Sequence, residues 1–159
     1  MNGNVISALR LCLVALGLGT LFGQAVYVPV AAYQSAEVYP ELAYLAVPYA
    51  AAVIVVLACV QTALVAVWKL LAMVEQRWIF DPRSVRWVDL IIVAAAVATV
   101  VTVGTVTHLI GWVGVGGPFA LVMQAVSLVG GLGFVLLMVV MRGLLRSATV
   151  LQVEMAEVI

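Results

Sequence analysis

The segment Gly111-Trp-Val-Gly-Val-Gly-Gly-Pro118 decides how often this chain can cross a membrane. It interrupts a long stretch, Leu90–Met141, that contains no Asp, Glu, Lys or Arg. One crossing of a hydrocarbon core about 30 Å thick takes about 20 helical residues, so the stretch is long enough for two crossings. Because glycines and a proline break a helix, the segment predicts that the chain folds back at this point.

Two further uncharged runs lie upstream, Leu11–Ala36 and Leu42–Trp68, and each is long enough for one span. Hydrophobic residues make up 67% of the chain, charged residues make up 9%, and the mean hydropathy is +1.28, far from the composition of soluble domains. The sequence therefore predicts an all-α, polytopic membrane protein whose four transmembrane helices form a bundle in a single membrane domain, residues 1–159. The predicted spans cover about residues 5–30, 44–74, 82–110 and 119–141, and a cytoplasmic helix covers 142–159.

The distribution of Lys and Arg predicts the orientation, because short translocated loops carry few of these residues. With the N terminus in the cytoplasm, all 7 Lys and Arg residues fall on the cytoplasmic side. The opposite side then receives Glu37 and Glu41, and the charged segment Glu75–Asp89 becomes a cytoplasmic turn. We therefore expect a multi-pass membrane protein with both termini in the cytoplasm.

Polar side chains inside the predicted spans are the first candidates for function, because hydrocarbon makes them costly to keep. The candidate intramembrane polar sites are Gln24, Gln61, Gln124, Thr105 and His108. Since no Asp or Glu lies near the middle of a span, transport coupled to a buried carboxylate is disfavoured. His108 is the single histidine, so one chain cannot supply two histidines to a haem or several to a metal ion. The sequence predicts no cofactor, no metal site and no catalytic residue, and for His108 it favours hydrogen bonding over catalysis or metal binding.

Asp89 lies about two turns into the third span, beyond the helix start that Asp81 and Pro82 predict. Lys69 lies at a similar distance before the end of the second span. A lone charge at this depth is unfavourable unless it is paired or hydrated. The matching depths predict an ion pair between Lys69 and Asp89, for which a structural clamp is favoured over a functional charge.

The residues after Met141, RGLLRSATVLQVEMAEVI, have the periodicity of an amphipathic helix. The apolar positions recur at three- or four-residue spacing and form a candidate interaction face: Leu144, Ala148, Leu151, Met155 and Val158. Lipid headgroups, the end of the second span or a second copy of the chain would each cover this face. Because the basic and acidic residues of the segment balance, contact with protein is favoured over adsorption to anionic lipid.

Two short patterns also carry a family resemblance. One is an acidic residue followed by Phe-x-x-x-x-Val before the third span, here Glu75 and Phe80–Val85. The other is the terminal pattern Leu-Leu-x-x-Ala-x-x-Leu-x-x-Glu-x-x-x-Val-Ile, here Leu144–Ile159. Together they resemble the YoaS-like family of small four-span bacterial membrane proteins of unknown function. The resemblance implies a location in the bacterial cytoplasmic membrane. Since such proteins are often encoded beside a small helix-turn-helix regulator, it also implies a regulatory or envelope-stress association.

These features favour a non-enzymatic membrane protein that acts by association. The expected partners are the lipid bilayer and either a second copy of the chain or another membrane protein, and nucleic acid is not expected. An oligomeric channel or small-solute transporter, with its pathway between copies, is the alternative. A membrane enzyme or lipid-processing accessory is the third hypothesis.

Overall fold

Four long helices dominate the computed structural model, which describes residues 3–75, 82–114 and 116–156. The described residues contain no strand. Four segments are long and apolar enough to cross a membrane: Ile6–Val38, Pro40–Met73, Ser84–Val113 and Gly117–Ala148. The prediction of an all-helical, multi-pass membrane protein is thus confirmed.

The first span consists of helices α1 (Gly3–Phe22) and α2 (Val28–Val38), joined by the π-helical segment Gly23–Tyr27. Pro29 explains the π-helical segment, because proline has no backbone N–H and its ring crowds the carbonyl four residues earlier. The Val28 N–H instead donates to the Gly23 carbonyl, five residues back. This wider turn lets the helix continue past the proline with little loss of hydrogen bonding.

A short 3₁₀ turn, Pro40–Leu42, leads from the first span into α3 (Ala43–Glu75). The third span is α4 (Pro82–His108), which ends in a π-helical turn, Leu109–Val113. The chain then reverses through glycines with positive φ angles, 70° at Gly114 and 134° at Gly116. Glycine adopts this conformation readily because it has no Cβ, so the fold-back occurs within the glycine-rich segment that predicted it.

The last helix, α5, runs without interruption from Gly117 to Ala156. The residues after Met141 therefore continue the fourth span as one helix. The side chains of Leu151 and Met155, and the whole of Val158, lie outside the described part of the structure, so that part of the predicted amphipathic face stays a prediction.

The helices pack in the order in which they occur in the sequence. Helices α1 and α2 contact α3, α3 contacts α4, and α4 contacts α5, whereas among the described residues α5 contacts neither α1 nor α3. One copy therefore forms an open row of helices, which corrects the prediction that the four spans form a bundle. In lipid, acyl chains are as apolar as the side chains, so no hydrophobic force drives the row to close into a bundle.

Candidate functional site: polar contacts between the helices

Gln24 and Gln61 join the first span to the second. The Gln61 side chain donates a hydrogen bond of 2.8 Å from Nε2 to Oε1 of Gln24, and the contact is partly buried. Gln24 lies in the π-helical segment Gly23–Tyr27, next to the proline-induced irregularity. Because a lipid chain cannot accept or donate a hydrogen bond, each amide partly satisfies the other within the apolar layer.

We expect the Gln24–Gln61 bond to stabilise the first hairpin by about 0.6 kcal/mol, the average for such bonds between membrane helices. Gln61→Leu should therefore lower the free energy of unfolding, measured by denaturant titration in detergent. The double variant Gln24→Leu/Gln61→Leu should be no less stable than the single one, because it leaves no amide without a partner. Gln34→Leu, at an exposed position, is the control. A Gln61→Leu protein as stable as the control would contradict the assignment.

His108 lies in an aromatic cluster at the end of α4. Its Nδ1 is 2.9 Å from the hydroxyl oxygen of Tyr49 on α3, a hydrogen bond that links the two helices. The Trp112 ring stacks on the imidazole, with 6.3 Å between the ring centroids and an interplanar angle of 8°. His108 is thus held between a hydrogen-bonding partner and an aromatic face.

Thr105 lies one turn before His108 but makes a different contact. Its hydroxyl donates to the Val101 carbonyl at 2.7 Å, within the same helix. Thr99 and Thr107 do the same with the carbonyls four residues before them. Such local bonds satisfy a hydroxyl in lipid without a second helix.

Three contacts align α4 with α5, and together they form the α4–α5 seam. Arg142 holds Asp89 with two bonds, from Nε to Oδ1 at 2.5 Å and from Nη2 to Oδ2 at 3.1 Å. Gln124 Nε2 donates to the Thr107 hydroxyl at 2.7 Å. Between them Gly131 faces Thr99 so closely that a Cβ at Gly131 would overlap the Thr99 side chain.

The register of the seam is constant along its length. The residue numbers of the three pairs, Asp89–Arg142, Thr99–Gly131 and Thr107–Gln124, each add up to 230 or 231. A constant sum is the signature of two straight, antiparallel helices in contact. The seam therefore combines an ion pair at one end, a close backbone approach in the middle and a hydrogen bond at the other end.

The structure places Arg142, not the predicted Lys69, against Asp89. Lys69 is exposed, and among the described residues no ion pair joins it to Asp89. Lys69 lies near the end of the second span and Arg142 near the end of the fourth, so depth alone does not distinguish the two cations. Asp89 lies about 100° around the helix from buried Val88, and its bonds to Arg142 show that the carboxylate is directed toward α5.

The chemistry of these contacts is that of helix association. Within the ranges that the structure describes, no group of three or more His, Cys, Asp or Glu side chains could hold a metal ion. Each described candidate, Gln24, Gln61, Gln124, Thr105 and His108, makes a hydrogen bond to another part of this chain. Three of these bonds, Gln61–Gln24, Tyr49–His108 and Gln124–Thr107, join different helices and so fix the helices relative to one another.

Comparison with known proteins assigns the chain to a family. A family described as a protein of unknown function, DUF2975, matches residues 30–159, which is more than four-fifths of the chain. The chain belongs to the DUF2975 family. No curated protein and no solved structure matches it.

The DUF2975 match agrees with the resemblance to YoaS-like proteins at one level, that of a family of unknown function. It covers His108 and the whole α4–α5 seam, whereas Gln24 lies before its first residue. The DUF2975 description names no activity, so the contacts themselves carry the functional argument.

Sequence reasoning missed Arg142, Tyr49 and Gly131 as contact residues. A signal for the seam was nevertheless present in the sequence. At about 100° per residue, Asp89, Thr99 and Thr107 lie within about 80° of one another and so share one side of α4. No comparable signal marks Tyr49, since it is one of five tyrosines in the first half of the chain.

Proposed function

We propose that this protein is a non-enzymatic component of the bacterial cytoplasmic membrane that acts by association, in the first place with copies of itself. The observation that carries the proposal is the position of α5 at the end of an open row. Its membrane-crossing segment, Gly117–Ala148, contacts α4 on one side and contains no buried residue in its most apolar window. The remaining sides of α5 are available to lipid or to another helix.

One side of α5 is suited to a helix partner. We define the open face of α5 as Gly133, Leu137, Val140 and Leu144, which recur at three- or four-residue spacing and are all exposed. Exposed Leu and Val are expected on a helix that faces lipid and do not indicate a partner. Gly133 is different, because it leaves the backbone uncovered and a Cβ there would meet nothing within 4 Å. A glycine on the surface of a membrane helix permits close approach of another backbone, which favours protein over lipid at this point.

The predicted C-terminal interaction face extends the open face beyond the membrane. Leu144 belongs to both, and α5 is one helix as far as Ala156. With both termini in the cytoplasm, as the positive charges favour, two copies would pair along the membrane and continue pairing in the tail. Since the charges of the tail balance, a second tail is a more suitable partner than an anionic membrane surface.

Truncation after Arg146 tests this proposal most directly. We expect the four spans to insert as before, because the part of the fourth span that remains is still longer than the about 20 residues that one crossing takes. Association should weaken about tenfold, equivalent to about 1.4 kcal/mol. Disulfide-independent chemical crosslinking and the concentration dependence of energy transfer between labelled copies would measure this change. Unchanged association would show that the tail is not the interaction element.

The membrane part of the open face has its own matched pair of variants. Gly133→Leu should weaken association because the longer side chain holds the partner helix away. Gly104→Leu is the control, since a Cβ there also meets nothing within 4 Å but the residue lies on α4. Equal association of the two variants would exclude the open face as the contact.

Two further measurements separate association from the alternatives. Flux of ions or small solutes through proteoliposomes that contain only this protein would contradict the proposal and support a channel or transporter. Co-purification of a different membrane protein in mild detergent, with no self-association, would make that protein the partner and would support the regulatory role that the family resemblance implies.

A further inference from the structure

A groove with a volume of about 390 Å³ runs between α1 and α3 in the half of the first hairpin nearest the N terminus. Its walls are apolar apart from one amide, and are formed by Leu13, Val14, Gly17, Leu21, Gln61, Leu64, Val65 and Trp68. Gly17 lies about halfway along the α1 wall, where a Cβ would meet nothing within 4 Å. The absence of a side chain at Gly17 therefore deepens the groove.

The two ends of the groove differ chemically. At one end the Arg10 guanidinium lies over the Trp68 ring, with its central carbon 5.6 Å from the ring centroid. Lys69, which is exposed, lies one helical turn beyond Val65 at the same end. At the other end the hydrogen bond between Gln61 and Gln24 closes the groove. The distance from Gln61 to Trp68 is about 10 Å along the helix at 1.5 Å per residue.

This combination of an apolar slot and two cations matches the shape and charge of a phospholipid. An acyl chain fills an apolar slot, and a phosphate at the membrane surface interacts favourably with Arg and Lys. A second copy of this chain in the same orientation is a poor occupant, because it would bring its own Arg10 and Lys69 to the same depth. Two other apolar grooves, near Val53 on α3, have no basic side chain among the described residues that line them.

We propose that this groove binds one acyl chain of an anionic phospholipid from the cytoplasmic leaflet, with the phosphate held at Arg10 and Lys69. The lipid would support the hairpin of the first two spans beside the buried cluster of Ile6, Leu13 and Leu71. The proposal does not depend on self-association, because the groove and the open face of α5 lie on opposite ends of the row of helices.

Filling the groove tests the proposal at its apolar part. Gly17→Leu should place a side chain in the slot, where the added Cβ meets no atom within 4 Å. Gly19→Leu is the matched control, because it also meets open space but lies about 200° around the helix from Gly17. The protein, purified in detergent and mixed with equal amounts of phosphatidylglycerol and phosphatidylcholine, would be examined by native mass spectrometry. We expect Gly17→Leu to retain about tenfold less phosphatidylglycerol than either the control or the natural protein.

Removing a cation tests the proposal at its charged part. Lys69→Gln should lower the preference for phosphatidylglycerol over phosphatidylcholine about fivefold, which corresponds to the contribution of one basic residue near a membrane surface. Because Lys69 is exposed, this variant is expected to fold normally, and a thermal unfolding curve without added lipid checks that it does. Equal retention of the two lipids by the natural protein, or unchanged retention in Gly17→Leu, would overturn the proposal.

Discussion

Gly131→Ala should lower the free energy of unfolding by about 2 kcal/mol, within the range observed for overpacking of a well-packed site. The added methyl group would overlap the side chain of Thr99 across the seam. Rotation of the Thr99 side chain does not remove the overlap, because its Cβ, which such a rotation does not move, lies 2.9 Å from the added Cβ. The helices must separate to make room, which weakens the contacts on both sides of the seam.

The direction of this effect is informative, because alanine is a better helix former than glycine by about 1 kcal/mol. Gly130→Ala is the matched control. It gains the same helix propensity at the preceding position, where a Cβ meets nothing within 4 Å. Denaturant titration in detergent should find Gly130→Ala neutral or stabilised and Gly131→Ala destabilised. Adding Thr99→Ala to Gly131→Ala should recover part of the loss. Equal stability of the two alanine variants would mean that α4 and α5 do not approach closely at this point.

Asp89→Arg should also destabilise the protein by about 2 kcal/mol, more than the loss of a surface ion pair and less than the loss of a fully buried one. The change replaces the carboxylate that Arg142 holds with two bonds by a second guanidinium. The two like charges would then face each other near the membrane surface, where about 40% of the Asp89 side chain is exposed. Solvent at this position limits the penalty.

The exchanged pair Asp89→Arg/Arg142→Asp should restore most of the lost stability, because it rebuilds the ion pair in the opposite sense. The combination Asp89→Arg/Lys69→Asp discriminates between the two possible partners of Asp89. It should restore nothing if Arg142 is the partner, as the structure shows. Recovery by the Lys69 exchange and not by the Arg142 exchange would support the ion pair that the sequence predicted.

The number of spans follows from the sequence because crossing a membrane depends on local composition. An uncharged run either is or is not long enough for the hydrocarbon core, and the break at Gly111–Pro118 can be recognised without any knowledge of packing. The continuation of α5 to Ala156 is local in the same sense, since no glycine-proline break follows Met141. The identity of the costly polar residues, such as Gln61 and His108, is likewise visible from their position in apolar runs.

The partners of those residues depend on two quantities that one sequence does not contain, the azimuth of each helix and the register between neighbours. Lys69 and Arg142 have similar depths, and only the rotation of α4 toward α5 selects Arg142 as the partner of Asp89. The open row of helices was also invisible, because acyl chains compete equally with apolar side chains for each helix surface. The sequence by itself thus determined which segments enter the membrane, through the cost of exposing polar groups to hydrocarbon. The tertiary structure decided which side chains meet there, because helix contacts in lipid depend on shape and on the placement of a few polar groups.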